Sequence, residues 1–352
     1  MSPDVAALTA EYERWLGGRI PLVADDLRAK HEALAGPVLR FLRGTYYLWL
    51  VRTAELLPHL HTTVPVPAVD DLHVENFGTW RDAHGVRRWG VNDLDELTPG
   101  SAELDLVRVA TSAVLAPDVA LPPGRLCAVL LDGWHTARPG TAVAVDDAPH
   151  LPALVPVRRD ADAYYAALAA GAPVDPPPPR VRDAAVGSGP PTWHPTWHRR
   201  RAGTGSLGHP RLVAVGPDAD GAPHAREVKL LGPPTAAWLG RPVPGGGLYD
   251  RVVDALSGPY PGGRVDGWQL RRLAPDVVRV ELSGLRAHDC ERVVRSMAYA
   301  AADVHGADPD AFAAARAQCA RRADGWLHDA VEVMAADTHD CHHAWRRATA
   351  GR

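Results

Sequence analysis

Lysine and asparagine are nearly missing from this chain: Lys30 and Lys229 stand against 36 arginines, and Asn76 and Asn92 are its two asparagines. Isoleucine occurs once and phenylalanine three times. The depleted types are those with AT-rich codons, so the bias reads as that of a GC-rich genome in which lysine drifts to arginine unless an ammonium is needed. A compact ammonium on a flexible stem does not do the work of a planar guanidinium fork, so the survivors act as pointers. Cysteine is scarce too. Cys127, Cys290, Cys319 and Cys341 are far apart with no CxxC pair, which excludes a zinc ribbon or a disulfide scaffold and leaves reduced thiols. No apolar run approaches the roughly 18 residues of a membrane span, and the start, MSPDVAALTAEYERW, lacks a basic segment followed by an apolar one. The expectation is a cytoplasmic protein with no membrane partner. Charge of one sign is not in excess either: 38 basic and 42 acidic residues give a formal net charge of −4. That balance offers no electrostatic footprint for nucleic acid.

What is present is a core-forming composition, 46% hydrophobic over 352 residues, enough for one large bilobal fold or two domains. Apolar positions at spacings of three and four predict an N-terminal helical segment over 1–60, read as one helix over VAALTAEYERWLG and a second stretch from Asp25 to Leu57. A loop, a hairpin and a second loop follow over 61–100, then helices at about 102–116, 123–136 and 159–170. Together 61–175 form one lobe. The stretch 176–198, rich in proline and glycine, reads as a linker. Residues 199–284 form a β-rich unit with strands RLVAVG, HAREVKLL, GWQLRRL and VVRVEL and one helix, GLYDRVVDALSG. The tail, 285–352, is helical again, with breaks near Gly306 to Pro309 and around Ala335 to Asp337.

Two segments carry chemistry. In VDDLHVENFG, Asp71 and Asn76 are five apart, and VNDLDE follows with Asp93, Asp95 and Glu96. A carboxylate to accept a hydroxyl proton, an amide oxygen for Mg²⁺ and a second carboxylate on the next strand-turn are what phosphoryl transfer requires. The alternative is a polar turn with Asn76 and Asp95 as caps. The second segment is GTGSLG, where Gly203, Gly205, Ser206 and Gly208 precede β-type sequence. A glycine-rich turn between strands lets backbone amides approach phosphates closely. Lys229 follows in the next strand but one, where a kinase places its phosphate lysine; in a two-residue period it shares a face with Glu227 and opposes Val228. Lys30 falls outside these segments and is expected to tolerate arginine.

FLRG at 41–44, DLHVENFG at 71–78, VNDLDE at 91–96, GSAELDLVR at 100–108, GTGSLG at 203–208, REVK at 226–229 and AAADVHGAD at 300–308 occur in the order seen in one bacterial family. The chain resembles the domain of unknown function 2252 family over roughly 25–330, whose members are similar to aminoglycoside phosphotransferases and protein kinases. The resemblance implies an α+β, bilobal, protein-kinase-like fold in which glycine loop and lysine follow the catalytic loop, a circular permutation, with 285–352 completing the helical lobe. It implies Asp71 as catalytic base, Asn76 and Asp93 as Mg²⁺ ligands, Asp105 as a brace for the catalytic loop and Lys229 with the glycine loop as the ATP site. A hinge for adenine is expected over 281–284, including Glu281 and Ser283. Asp70 stands where the family usually has glycine, and the helix after Lys229 offers Asp250 or Asp254 as its partner.

The expected function is an ATP- and Mg²⁺-dependent phosphotransferase acting on a small-molecule hydroxyl. Two rivals are a non-catalytic nucleotide-binding protein of the same fold and a metal-dependent hydrolase with Asp70, Asp71, His73, Glu75, Asp93 and Asp95 as ligands. THDCHH at 338–343 could ligate zinc, although His339 and His343 share one helical face while Cys341 and His342 point elsewhere. TWHPTWH at 192–198 reads as a lid or packing segment. Arg43 is expected to pair with Asp95 or Glu96.

Overall fold

A computed structural model describes residues 4–350 except 83, 141–142, 149, 158–159, 242, 244–246 and 257–261. The ends of two expected helices, at 159 and 257–258, lie outside the described residues. The fold is mixed α+β, as the sequence predicts. The helix α1 (Val5–Gly17) opens on Asp4, whose carboxylate accepts the Ala7 N–H at 2.9 Å, the usual stop for orphan amides at a helix start. The next stretch is three helices, α2 (Ala24–Leu34), α3 (Val38–Gly44) and α4 (Tyr46–Leu56), rather than one. Pro37, which lacks an N–H, opens α3. The α3–α4 break falls at Gly44, where an added Cβ would lie 2.4 Å from Leu34 Cδ2.

Strand β1 (Val66–Ala68) pairs with β4 (Thr98–Gly100), and between them β2 (Phe77–Arg81) and β3 (Arg87–Val91) form an antiparallel hairpin. Two loops therefore leave this small β layer side by side, 69–76 and 92–97. The first rests on α5 (Ala102–Val114), a helix that is buried nearly all round, is capped by Ser101 and bonds Val69, Asp70 and Val74. Next to it pack α6 (Pro123–Thr136) and, from the far end of the chain, α11 (Ala287–His305). An added Cβ on Gly133 of α6 would come 2.8 Å from Ala298 Cβ of α11, so glycine sets how closely these helices cross.

A short helix α7 (Leu151–Leu154) ends this part of the chain. The helix α8 (Ala161–Ala169) packs chiefly on β5 (Thr196–Arg199), β6 (Arg211–Pro217) and β7 (Pro223–Leu230). The lobe read over 61–175 thus ends before α8. Nor is 176–198 a plain linker: it contains α9 (Pro179–Gly187), with Val181 and Ala185 buried against the sheet, and the start of β5. Pro178 and Pro179 start that helix, because proline at a first turn forfeits no hydrogen bond, and the i, i+4 pair was hidden among prolines and glycines. Trp193 and Trp197 of TWHPTWH are buried in the same cluster, with Trp193 Nε1 donating to Gly216 O at 2.9 Å. That segment is packing.

The sheet is completed by β8 (Gly262–Val265) and β9 (Trp268–Leu273), giving the antiparallel order β5-β6-β7-β9-β8, while α10 (Leu248–Ala255), between β7 and β8 in the chain, packs on α11 in the helical core. Asp266 and Gly267, with φ of 48° and 80°, join β8 to β9; an Asp-Gly pair with both φ positive is the turn that suits a tight hairpin. Cross-strand pairing aligns Arg211, Lys229 and Gln269 in one row and Val213, Glu227 and Arg271 in the next. Val228 lies on the other face, in the cluster with α9. On the inner face, α8 covers Val213, Val215, Ala225 and Leu273 and leaves the charged end uncovered.

The segment VVRVEL is not a strand. From β9 the chain runs irregularly along β2, with Thr79 N–H donating to Val278 O at 2.8 Å and one bridge between Gly78 and Arg279, before α11 begins. Beyond α11 come α12 (Pro309–Cys319) and α13 (Trp326–Thr349). The break at 306–308 is as expected. The one at 335–337 is absent: Ala335, Ala336 and Asp337 contain no breaker, and α13 runs through them. Among the described residues, no helix is long and apolar enough to cross a membrane, and all four cysteines are free and buried.

Candidate functional site

A cleft opens between the charged inner face of the sheet, the loops 69–76 and 92–97 and the N-terminal helices. Its lining includes Asp71, Asn76, Asp93, Gly203, Gly205 and Ser206, so six of the ten residues singled out for a site meet there. The loop 69–76 is held from below. Asp105 accepts the N–H groups of Val69 at 2.8 Å and Asp70 at 2.9 Å, and His305 Nε2 lies 3.0 Å from its Oδ2. Trp134 Nε1, which can only donate, reaches His305 Nδ1 at 2.9 Å, which puts the ring proton on Nε2, facing Asp105. The brace expected of Asp105 is therefore in place. Asp70 has φ of 69°, a conformation easier for glycine. Its carboxyl accepts from Thr98 Oγ1, and burial, with Asp105 nearby, pushes it well above the ordinary carboxylate range.

Asp71 is bound by Arg108 through Nε at 2.8 Å and through Nη2. Arg108 is fully buried, also donates to Leu42 O at 3.0 Å, and lies over the rings of Tyr46 and Trp49. Burial nevertheless outweighs that cation and raises the Asp71 carboxyl to about 6. Asn76 Nδ2 donates to Asp71 O at 3.0 Å, which leaves its Oδ1 as the atom for a cation. Asp93 takes one hydrogen bond among the described residues, from Asp95 N–H at 3.4 Å. Burial would raise it, but Lys229, Arg271 and Arg211 hold it below the ordinary carboxylate range. A free carboxylate and an amide oxygen are the hard donors that Mg²⁺ takes.

Lys229 reaches this second loop but meets Asp95, not Asp93. Its ammonium pairs with Asp95 Oδ2 while Gln269 Nε2 donates to Oδ1 at 2.8 Å. Neither Asp250 nor Asp254 of α10 is its partner. Burial lowers Lys229 to about 8, against the pull of Asp93, and the residue lies beneath the cleft wall rather than in the lining. Among the described residues, the cations in the lining are Lys30, Arg43, Arg200, Arg211, Arg271 and Arg279. Arg211 and Arg200 meet the buried Glu227 at 3.0 and 2.9 Å. Arg43 does not pair with Asp95 or Glu96: it binds Glu75 at 2.7 Å, and Arg279 binds the other oxygen of Glu75 at 3.0 Å.

The glycine turn joins β5 to β6, with positive φ at Gly203 and Gly208. Gly208 packs against Leu27 on α2, where a Cβ would come 2.6 Å from Leu27 Cδ2, and Gly205 sits over α3 and the loop 69–76, 3.0 Å from Arg43 O and 3.9 Å from Asp71 Oδ2 by the same measure. Glu281 and Ser283 are corrected by the structure. Both are exposed, outside the lining, while Val280 and Leu282 turn into the helical core. The connecting segment meets the cleft earlier, at Val277 and Arg279. Arg108 and Lys30 were missed as site residues, and Glu75 was named only as a ligand in the hydrolase alternative. Among 36 arginines nothing in composition marks Arg108, but the rarity of lysine did mark Lys30, which is 4% exposed and lines the cleft.

The six residues of the hydrolase set do not gather as ligands. Among the described residues, three His, Cys, Asp or Glu ligand atoms come together only at His328, Asp329 and Glu332 on α13, and Asp70, Asp71, Glu75 and Asp95 are each engaged as above. In the tail, His339 and His343 are exposed while Cys341 and His342 are buried. No curated protein and no solved structure matches the chain. Residues 22–123, which span α2 to α5 and carry both loops of the cleft, match the family described as an uncharacterized protein conserved in bacteria (DUF2252).

Proposed function

We propose that the protein is an ATP- and Mg²⁺-dependent phosphotransferase of kinase-like, circularly permuted architecture, acting on a small-molecule hydroxyl. The observation that carries this reading is the shared cleft: Asp71, Asn76 and Asp93 face a glycine turn more than a hundred residues later in the chain. The sheet order, with that turn between its first two strands and Lys229 on the third, supports the permuted reading. Leu273 and Val277 give the cleft an apolar end for a base, and Arg211 and Arg271 put positive charge beside the turn. Asn76 Oδ1 and the Asp93 carboxylate would hold Mg²⁺, which when bound supplies charge neutralisation on phosphate oxygens. Asp71 accepts the proton of the acceptor hydroxyl, since a carboxyl titrating at about 6 is both ionised and basic near neutral pH. Arg108 fixes its orientation. Melting curves with ATP or GTP, with and without Mg²⁺, test the reading. A ligand that binds only the folded state at a hundredfold excess over Kd adds about 2.7 kcal/mol, and unmoved melting temperatures with every nucleotide would remove it.

The buried Lys229–Asp95 pair favours one second reading, nucleotide binding without turnover, because the ammonium is already engaged. Phosphorylated product from cell extract separates the two.

A further inference from the structure

The far end of the cleft is walled by the N-terminal helices together with the segments around Gly205 and Thr235. Tyr12 of α1 stacks on Tyr47 of α4 at 4.4 Å, and its hydroxyl meets Thr235 Oγ1 at 3.1 Å. Thr235 in turn donates to Glu96 through N–H at 2.6 Å and Oγ1 at 3.0 Å. Into this wall α2 places Lys30, with Nζ 5.9 Å from the Tyr47 ring centroid. The ammonium makes one hydrogen bond, to Gly205 O at 3.2 Å, and among the described residues no carboxylate lies within ion-pair distance of it. Burial lowers the pKa of this ammonium, and Glu13, Asp71 and Glu96 oppose that from further away, each engaged elsewhere, by His31, Arg108 and Thr235 respectively. His209, on the same wall, donates from Nδ1 to Leu230 O and keeps Nε2 as an acceptor.

A buried cation without a counter-charge costs several kcal/mol, and an ammonium has three donors, of which the chain uses one here. Gly205, the residue it grips, is also the residue seated over Asp71. The missing partner is therefore an anion entering the cleft beside the proposed base.

We propose that Lys30 is the anchor of an anion subsite, and that its ligand is a small alcohol carrying a phosphate or carboxylate, the acceptor of the phosphoryl group. The role as acceptor rests on the phosphotransferase reading; the anion site itself does not. Titration calorimetry of the full-length protein with glycerol 3-phosphate, glycerate and glycerol compares the same vicinal diol carrying a phosphate, a carboxylate or an uncharged hydroxymethyl group. The wild type binds at least one charged probe tenfold or more tightly than glycerol, and the phosphate and carboxylate arms identify which anion the site prefers. Lys30→Met loses that preference. Lys30→Gln keeps a donor for Gly205 O but not the charge, so it loses the preference as well; recovery of binding with glutamine would mean that Lys30 only staples the glycine turn and would overturn the proposal. Charged probes that bind wild type and Lys30→Gln alike, or no better than glycerol, overturn it too. ATP with Mg²⁺ is titrated in parallel. Lys30-dependent anion binding in a protein that ignores nucleotide leaves the anion site standing and removes the phosphotransferase reading instead.

Discussion

Asp71 is held in its ionised form against its own environment, and that gives a measurable consequence. Its folded-state pKa of about 6 lies above the ordinary aspartate value of 3.8. In the sign convention of linkage, the folded state then binds more protons than the unfolded state between these values, so stability is lost as pH rises through that window. At 1.36 kcal/mol per pKa unit the cost at pH 8 is about 3 kcal/mol. Asparagine resembles the protonated carboxyl in size and charge. Asp71→Asn is thus expected to be about 3 kcal/mol more stable than the wild type at pH 8, equal to it near pH 4, and flatter in between. With an unfolding entropy of roughly 2.1 cal/mol/K per residue, the gain over this chain is a rise of about 4 °C in Tm.

The same variant should keep its nucleotide-induced melting shift while losing about 10² to 10⁴ in turnover, the usual contribution of a positioned base. Melting curves from pH 4 to 8, with and without ATP and Mg²⁺, measure both. The reasoning is refuted if Asp71→Asn is less stable than wild type at pH 8 and matches it at pH 4, for then the Arg108 pair, not burial, controls the carboxyl.

Asp93→Asn should weaken the Mg²⁺-dependent part of the nucleotide shift and also lower the ligand-free melting temperature at neutral pH, because Lys229, Arg271 and Arg211 favour the ionised carboxylate, with the difference from wild type closing as the pH falls. Asp95→Asn instead strands the buried Lys229 ammonium, for which a loss of about 3 to 5 kcal/mol is expected in urea melts; the reverse pattern would move the metal site by two residues. Lys229→Arg has to fit a larger planar group into a slot that is 1% exposed, so it should lose about 1 to 3 kcal/mol of stability and fail to restore turnover. Asp105→Ala leaves the N–H groups of Val69 and Asp70 and the His305 ring without their acceptor, at about 1 to 3 kcal/mol for each buried group, and faster hydrogen exchange at Val69 and Asp70 should report it.

The difference between what was legible in the sequence and what was not follows from how each feature is encoded. The loops at 69–76 and 92–97 could be read because their polar residues sit at fixed spacings between apolar strands, and spacing survives in one dimension. The α5 helix was equally plain, capped by Ser101 and apolar beyond it. Strand β8 and helix α9 were not, since Gly262 and Gly263 and the run before Pro179 carry the composition of a linker; their folding is imposed by the sheet they cover, through Val265 and Val181. The pairing of charges was the least legible of all. The sequence offered Arg43 the nearby Asp95 and Glu96, but in the fold it pairs with Glu75, which Arg279, arriving from two hundred residues later, shares. Lys229 shows the same logic. The two-residue period placed it on the inner face beside Glu227, but not its partner: Glu227 is taken by Arg211 and Arg200, both on neighbouring backbone, so the lysine is left for Asp95 across the cleft. Lys30 goes one step further, because every carboxylate near it is already satisfied. A sequence can mark such a residue by its rarity, yet only the count of partners in three dimensions shows that one is still to come.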